Sequence, residues 1–121
     1  MLTVLIVEDN PRNLKLVRDV LGHAGYETLE APDAEAGLAL ARERRPDVVL
    51  MDINLPGMTG VEALAALRAD ASTASIPVAA LTAYAMKDDR ARILAAGFDG
   101  YLEKPIDVRQ LPAQVEALLN R

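Results

Sequence analysis

Three short runs in this chain are apolar almost without a break: Thr3-Val4-Leu5-Ile6-Val7, Val48-Val49-Leu50-Met51 and Pro77-Val78-Ala79-Ala80-Leu81. A strand with one wet face alternates apolar and polar residues, so strands that do not alternate are covered on both faces, as in a parallel sheet between helical layers. Weaker runs at about Glu27 to Ala31 and Gly100 to Leu102 bring the number of expected strands to five. Each is followed by a helix signal, and this alternation implies right-handed crossovers and a three-layer α/β sandwich.

The helix signals are local and chemical. Asn10-Pro11 supplies a cap and a proline for the first helical position, Leu14, Val17, Val20 and Leu21 recur at helical spacing, and Gly22 and Gly25 bracket the end. Pro32-Asp33 opens a second helix with a thin apolar face of Ala34, Leu38 and Ala41, in which Gly37 allows close approach to the sheet. Pro46 ends it, and the basic run Arg42-Glu43-Arg44-Arg45 reads as its last turn, where cations complement the helix dipole. Thr59-Gly60-Val61-Glu62 matches a capping box, with Val61, Leu64, Ala65 and Leu67 expected to carry the buried face. Residues 70 to 75 form a polar loop with no sign of chemistry. A helix from about Lys87 to Ala96 stops at Gly97, and Asp107 is expected to cap a last helix striped by Leu111, Val115, Leu118 and Leu119.

Size and composition narrow the possibilities. With 121 residues, 51% of them apolar, the chain is expected to close a single core, and residues 1–121 read as one domain. It has no cysteine and one histidine, which excludes disulfides, thiolate chemistry and sulfur or multi-histidine metal sites. The opening seven residues run straight into Glu8-Asp9 and read as a strand rather than a targeting segment, and nothing later is expected to enter a membrane. A cytoplasmic location is therefore expected. A formal charge of −5 argues against direct nucleic-acid binding, which needs clustered Lys and Arg.

Chemistry is expected where the strands end. In an open α/β sheet, ligands collect outside the carboxyl ends of the strands, at the point where the strand order reverses. The first strand ends in Glu8-Asp9, the third in Asp52, the fourth in Thr82 and the fifth reaches Lys104. Taken singly, each has an ordinary explanation: a turn-capping Asp, a helix-capping Thr, a solvated Lys. Together they would place three carboxylates in one crevice, repelling by about 1 to 4 kcal/mol per pair, and a cation is needed. An all-oxygen donor set suits Mg²⁺, which shares its remaining positions with water and phosphate oxygens. With Lys104 as a second positive charge and Thr82 as a hydroxyl donor, a transferring phosphoryl group would be surrounded by electrophiles. Asp52, central in the set, is then the expected nucleophile, with Asp9 coordinating directly and Glu8 acting mainly through water.

At this point the chain resembles a response-regulator receiver domain over essentially its whole length. The matching motifs are Val7-Glu8-Asp9-Asn10, Pro46-Asp47-Val48-Val49-Leu50-Met51-Asp52, Leu55-Pro56-Gly57-Met58-Thr59-Gly60, Leu81-Thr82-Ala83 and Gly97-Phe98-Asp99-Gly100-Tyr101-Leu102-Glu103-Lys104-Pro105. The run from Thr82 to Lys87 is also similar to single-domain cell-cycle regulators of the DivK type. The resemblance implies a CheY-like, flavodoxin-like (βα)5 fold with five parallel strands in the order 2-1-3-4-5. It implies a phosphoacceptor signalling switch that assists its own phosphorylation and dephosphorylation, rather than an enzyme. Asp52 would accept a phosphoryl group from a phosphohistidine on a sensor histidine kinase or histidine phosphotransfer protein. Glu8, Asp9, Asp52 and the backbone carbonyl of Asn54 would serve Mg²⁺, and the Lys104-Pro105 bond would be cis. Thr82 would move toward the phosphoryl group while Tyr101 turns inward, changing the surface of the last two helices and fifth strand that meets a downstream protein.

Two rival readings differ in class. A phosphohydrolase of the haloacid-dehalogenase type needs a second Asp two positions after its nucleophile, and this chain has Asn54 there, which cannot protonate a leaving group. A receiver fold that binds partners without phosphorylation would not need the full set of Glu8, Asp9, Asp52, Thr82 and Lys104. Tyr84 follows Thr82 by two residues as Asn54 follows Asp52, so both side chains are expected over the path of the hydrolytic water. Tyr84→Ala should therefore lose its phosphoryl group several-fold faster than the parent in a phosphate-release time course, and an unchanged rate would refute a shielding role.

Overall fold

The computed structural model describes residues 2–55, 57–83 and 87–120, and for residues 87–89 the backbone alone. Strands and helices alternate: β1 (Thr3–Val7), α1 (Pro11–His23), β2 (Glu27–Ala31), α2 (Ala34–Arg44), β3 (Val48–Asp52), α3 (Gly60–Ala69), β4 (Val78–Thr82), α4 (Lys87–Ala95), β5 (Gly100–Glu103) and α5 (Leu111–Leu119). All four strand pairings are parallel and the order is β2-β1-β3-β4-β5, the flavodoxin-like arrangement expected from the sequence. The winding reverses between β1 and β3, so the crevice opens between the ends of those two strands.

Successive residues of a strand point to opposite faces, and here both faces are dry. Val4, Ile6, Val48, Leu50, Ala79 and Leu81 meet Val17 and Leu21 of α1 and Leu111, Val115 and Leu118 of α5. Leu5, Val7, Val49, Met51, Val78 and Ala80 belong to the opposite core with residues of α2, α3 and α4. Uninterrupted apolar runs thus build two half-cores that share one sheet.

The caps largely follow the sequence. Asn10 accepts from Arg12 N at 2.9 Å, Asp33 accepts from Ala36 N at 2.8 Å, and Thr59 and Glu62 close their capping box. Arg42 and Arg44 fall in the last turn of α2 and pair with Asp70 at 3.2 Å and Glu27 at 3.1 Å. Two expectations are corrected. The buried stripe of α3 is Gly60, Ala63, Leu64 and Leu67, whereas Val61 and Ala65 are exposed; the helix starts at Gly60, and Val61 lies about 100° around from that stripe. Asp107 caps a turn that precedes α5 rather than α5 itself. Its carboxylate accepts from Arg109 N, its carbonyl accepts from Gln110 N and Leu111 N, and the helix begins only after Gln110, which leaves Pro112 in the first turn where no donor is missed.

Gly37 is where α2 comes closest to the sheet: a Cβ there would lie 2.7 Å from Val7 Cγ2, and Val7 is fully buried. In an exposed helix Gly→Ala gains up to about 1 kcal/mol, but forcing a methyl into a filled core costs about 1–3 kcal/mol, so crowding should win. Gly37→Ala is expected to lower stability in urea melts, while the same change made with Val7→Ala should cost less than the two effects added.

Candidate functional site

The strand ends deliver their charged residues to one pocket. Glu8 follows β1 and its N–H continues the β1–β2 ladder to the Ala31 carbonyl at 3.0 Å. Asp52 is the last residue of β3, and Ile53 N continues that ladder to the Leu81 carbonyl at 3.2 Å. Lys104 follows β5 and its N–H donates to the Thr82 carbonyl at 2.8 Å. The site residues are therefore held by sheet hydrogen bonds running one residue beyond the strands, not by loops alone.

Across the pocket, the Lys104 ammonium lies 2.7 Å from Asp52 Oδ2, 3.0 Å from Glu8 Oε2 and 3.3 Å from Glu8 Oε1. Glu8 and Asp52 are almost inaccessible, at 1% and 4%, whereas Asp9 faces solvent. The second oxygen of Asp52 accepts from Asn54 N at 2.9 Å, and Glu8 Oε1 accepts from Asn10 N at 3.2 Å. The bond between Lys104 and Pro105 is cis, as the resemblance implies. Thr82 is fully buried at the end of β4 and borders a cavity of about 210 Å³ shared with Ile53, Asn54, Val61 and Ile93. Tyr101 is half-buried on β5, with the Arg90 guanidinium of α4 at 5.4 Å from its ring centroid. Tyr84 lies outside the described residues.

Burial is the largest influence on Glu8 and pushes its carboxyl above the ordinary carboxylate value; the Lys104 hydrogen bond opposes the shift and the nearby Asp52 charge adds to it. Burial alone would lower the Lys104 pKa, but hydrogen bonds and charge from Asp52 and Glu8 outweigh it and hold the ammonium above the ordinary lysine value. The two carboxylates thus keep the lysine protonated, while burial works against the charge on Glu8.

Carboxylate oxygens of Glu8, Asp9 and Asp52 come within 4.8 Å of one another, close enough to share one ion. Glu8 Oε2 is buried and takes no hydrogen bond from the described residues, its charge being met by the Lys104 ion pair at 3.0 Å. A hard, all-oxygen donor set with one carboxylate oxygen lacking such a bond fits Mg²⁺.

Two features carried no sequence signal. Arg68 of α3 donates to the Ala74 and Ile76 carbonyls at 3.0 and 2.7 Å and pairs with Asp99 at 2.8 Å, while Asp99 also accepts from Val78 N at 2.8 Å, fixing the entry to β4. Arg90 pairs with Glu103 at 2.7 Å while covering Tyr101. Both join residues far apart in the chain, and only the fold brings them together.

Fold and pocket define a flavodoxin-like α/β domain whose switch-point crevice carries acids and a lysine instead of a glycine-rich phosphate cradle. Residues 4–116 match the response regulator receiver domain family, and the chain belongs to that family, whose members act as phosphoacceptor switches rather than conventional enzymes. It is 44% identical over 118 residues to the polar-differentiation response regulator DivK of Brucella anthropi, an alignment spanning 98% of this chain and 96% of the relative. Its fold is similar to that of the chemotaxis response regulator CheY4 of Vibrio cholerae, with a TM-score of 0.92, 32% identity and 98% of each chain covered. It is also similar to the receiver domain of sensor histidine kinase PA1611 of Pseudomonas aeruginosa, solved with a magnesium ion coordinated in its active site cleft, with a TM-score of 0.90, 32% identity, and 99% of this chain and 98% of that one covered.

An ion that binds the folded pocket and not the unfolded chain should stabilise the protein by about 2.7 kcal/mol at a hundred times its dissociation constant. Mg²⁺ should therefore raise the melting temperature of the parent, the rise should vanish in EDTA, and Asp9→Asn should show little of it. Equal shifts in parent and variant would place the ion elsewhere.

Proposed function

We propose that residues 1–121 form one receiver domain in which Asp52 accepts a phosphoryl group from a phosphohistidine on a sensor histidine kinase or histidine phosphotransfer protein. The observation that carries this reading is the meeting of Asp52 with Lys104 at 2.7 Å inside a cluster of Glu8, Asp9 and Asp52 oxygens. An Asp52 oxygen forms the new bond to phosphorus as the bond from phosphorus to the donor's imidazole nitrogen breaks, and the electron pair leaves with the imidazole. Lys104, already protonated, exchanges its carboxylate partner for a phosphoryl oxygen without a proton transfer. The Asn54 N–H holds one Asp52 oxygen and limits rotation of the carboxylate.

Glu8, Asp9, Asp52 and the Asn54 backbone carbonyl would hold Mg²⁺, which supplies positive charge to offset the incoming phosphoryl oxygens. The Thr82 hydroxyl then serves as a donor to the phosphoryl group, and the cavity beside it gives the β4–α4 connection space to rearrange. Tyr101 borders a second cavity, of about 420 Å³, with Glu103, Pro105, Ile106, Gln110 and Gln114 between β5 and α5. An inward turn of Tyr101 would reshape this α4-β5-α5 face, to which we assign a downstream protein partner. No helix among the described residues is long and apolar enough to cross a membrane. We assign the chain's action to the cytoplasm through protein contacts, and a formal charge of −5 speaks against direct nucleic-acid binding.

Incubation with acetyl phosphate and Mg²⁺ followed by intact mass measurement tests the reading. One added phosphoryl group is expected on the parent and none on Asp52→Asn. A parent that gains no phosphoryl group from acetyl phosphate or from any histidine kinase would favour a phosphorylation-independent binding module.

A further inference from the structure

The loop that leaves Asp52 returns to its own start. Gly60, the first residue of α3, donates its N–H to the Ile53 carbonyl at 3.1 Å, which brings the helix start back beside the pocket. A Cβ on Gly60 would lie 2.6 Å from the Asp52 carbonyl oxygen and 2.8 Å from Ile53 Cα. Both are backbone atoms, with no rotamer to turn away. Gly60 is not among the residues with positive φ, so the need is for space and not for an unusual backbone conformation.

The far side of this contact is the phosphoacceptor. Asp52 and Ile53 carry the backbone directly to Asn54, whose N–H is fixed to Asp52 Oδ1 at 2.9 Å. Helix α3 therefore rests against the peptide that joins the acceptor carboxylate to the expected carbonyl ligand. We infer that Gly60 is a positioning residue for the metal-holding pocket: its missing side chain lets the first turn of α3 seat on the Asp52–Ile53 backbone and so sets where Asn54 stands relative to the Asp52 carboxylate. The inference rests on the reading of this pocket as a Mg²⁺ site. A methyl group at position 60 must lift the helix start or push the Asp52–Ile53 peptide, and either movement detunes the ligand set.

The test compares Gly60→Ala with Thr59→Ala by Mg²⁺ titration calorimetry and by melting temperature without metal. Thr59→Ala removes the α3 cap but adds no atom at the contact. Gly60→Ala should bind Mg²⁺ roughly tenfold more weakly than the parent, in the range seen when groups supporting metal ligands are disturbed. Thr59→Ala should melt lower and keep the parent's affinity. Parental affinity in Gly60→Ala, or equal weakening in both variants, overturns the inference. Should Gly60→Ala not fold, coupling is still readable in the parent because it is reciprocal. Mg²⁺ should then slow hydrogen exchange of the Gly60 amide, and an unchanged rate while Asp9 and Asn54 amides respond overturns Gly60's role alone. A parent with no Mg²⁺ response at all overturns the pocket reading and this inference together.

Discussion

The Lys104 ammonium stands between Asp52 and Glu8, two carboxylates that water scarcely reaches, and among the described residues the crevice depends on that positive charge. Without it the buried acids would face each other uncompensated, a condition that proteins avoid by protonation or by unfolding. With it the balance among the described residues is still unequal, because Asp9 brings a third carboxylate beside the Lys104 ammonium. The surplus is tolerable since Asp9 lies in solvent, where high dielectric weakens the repulsion. A folded chain that retains such an excess of negative charge is suited to a hard cation rather than to its own maximal stability.

Holding this imbalance in place is work for the backbone. Glu8, Ile53 and Lys104 each extend a β ladder by one hydrogen bond beyond the strand, so Lys104 meets acids 96 and 52 residues away through rigid sheet geometry. The two dry faces of the sheet make that geometry stiff, because every central strand is clamped by side chains on both sides. Loops are left to contribute fine placement, such as the Asn54 N–H on Asp52 Oδ1.

Much of this was legible in the sequence because it follows from local rules. Uninterrupted apolar runs announce strands buried on both faces, Asn10, Asp33 and Thr59 announce helix starts, and acids at strand ends announce the crevice. What escaped was either a matter of phase or of distance. On α3, Leu64 and Leu67 fall on the buried face as expected, but the stripe is completed by the small residues Gly60 and Ala63 rather than by Val61 and Ala65, a choice between neighbouring apolar positions that residue type alone cannot resolve. The start of α5 escaped because Asp107, a good capping type, is used by a turn placed just ahead of the helix. Arg68 and Arg90 escaped for another reason: a surface arginine looks the same in sequence whether it is solvated or tied to Asp99 or Glu103.

The same Arg90 bears on how a change at Asp52 could reach the surface. Lys104 is tied to Asp52 through its side chain and to Thr82 through its N–H, and its neighbour Glu103 holds Arg90, which covers Tyr101. The chain of contacts from acceptor to aromatic ring is short, but its last links are weak. Arg90 and Glu103 are about half exposed, and such an ion pair contributes at most about 1 kcal/mol. An exposed cation over an aromatic ring adds about 0.5–1 kcal/mol. Weakness here is an advantage in the proposed switch, because moving a two-state equilibrium tenfold takes about 1.4 kcal/mol. A stronger clasp on Tyr101 would hold the ring in one place whatever happened at Asp52, whereas one of this size can be outweighed by a single new hydrogen bond to a charged group, worth about 1.5–3 kcal/mol.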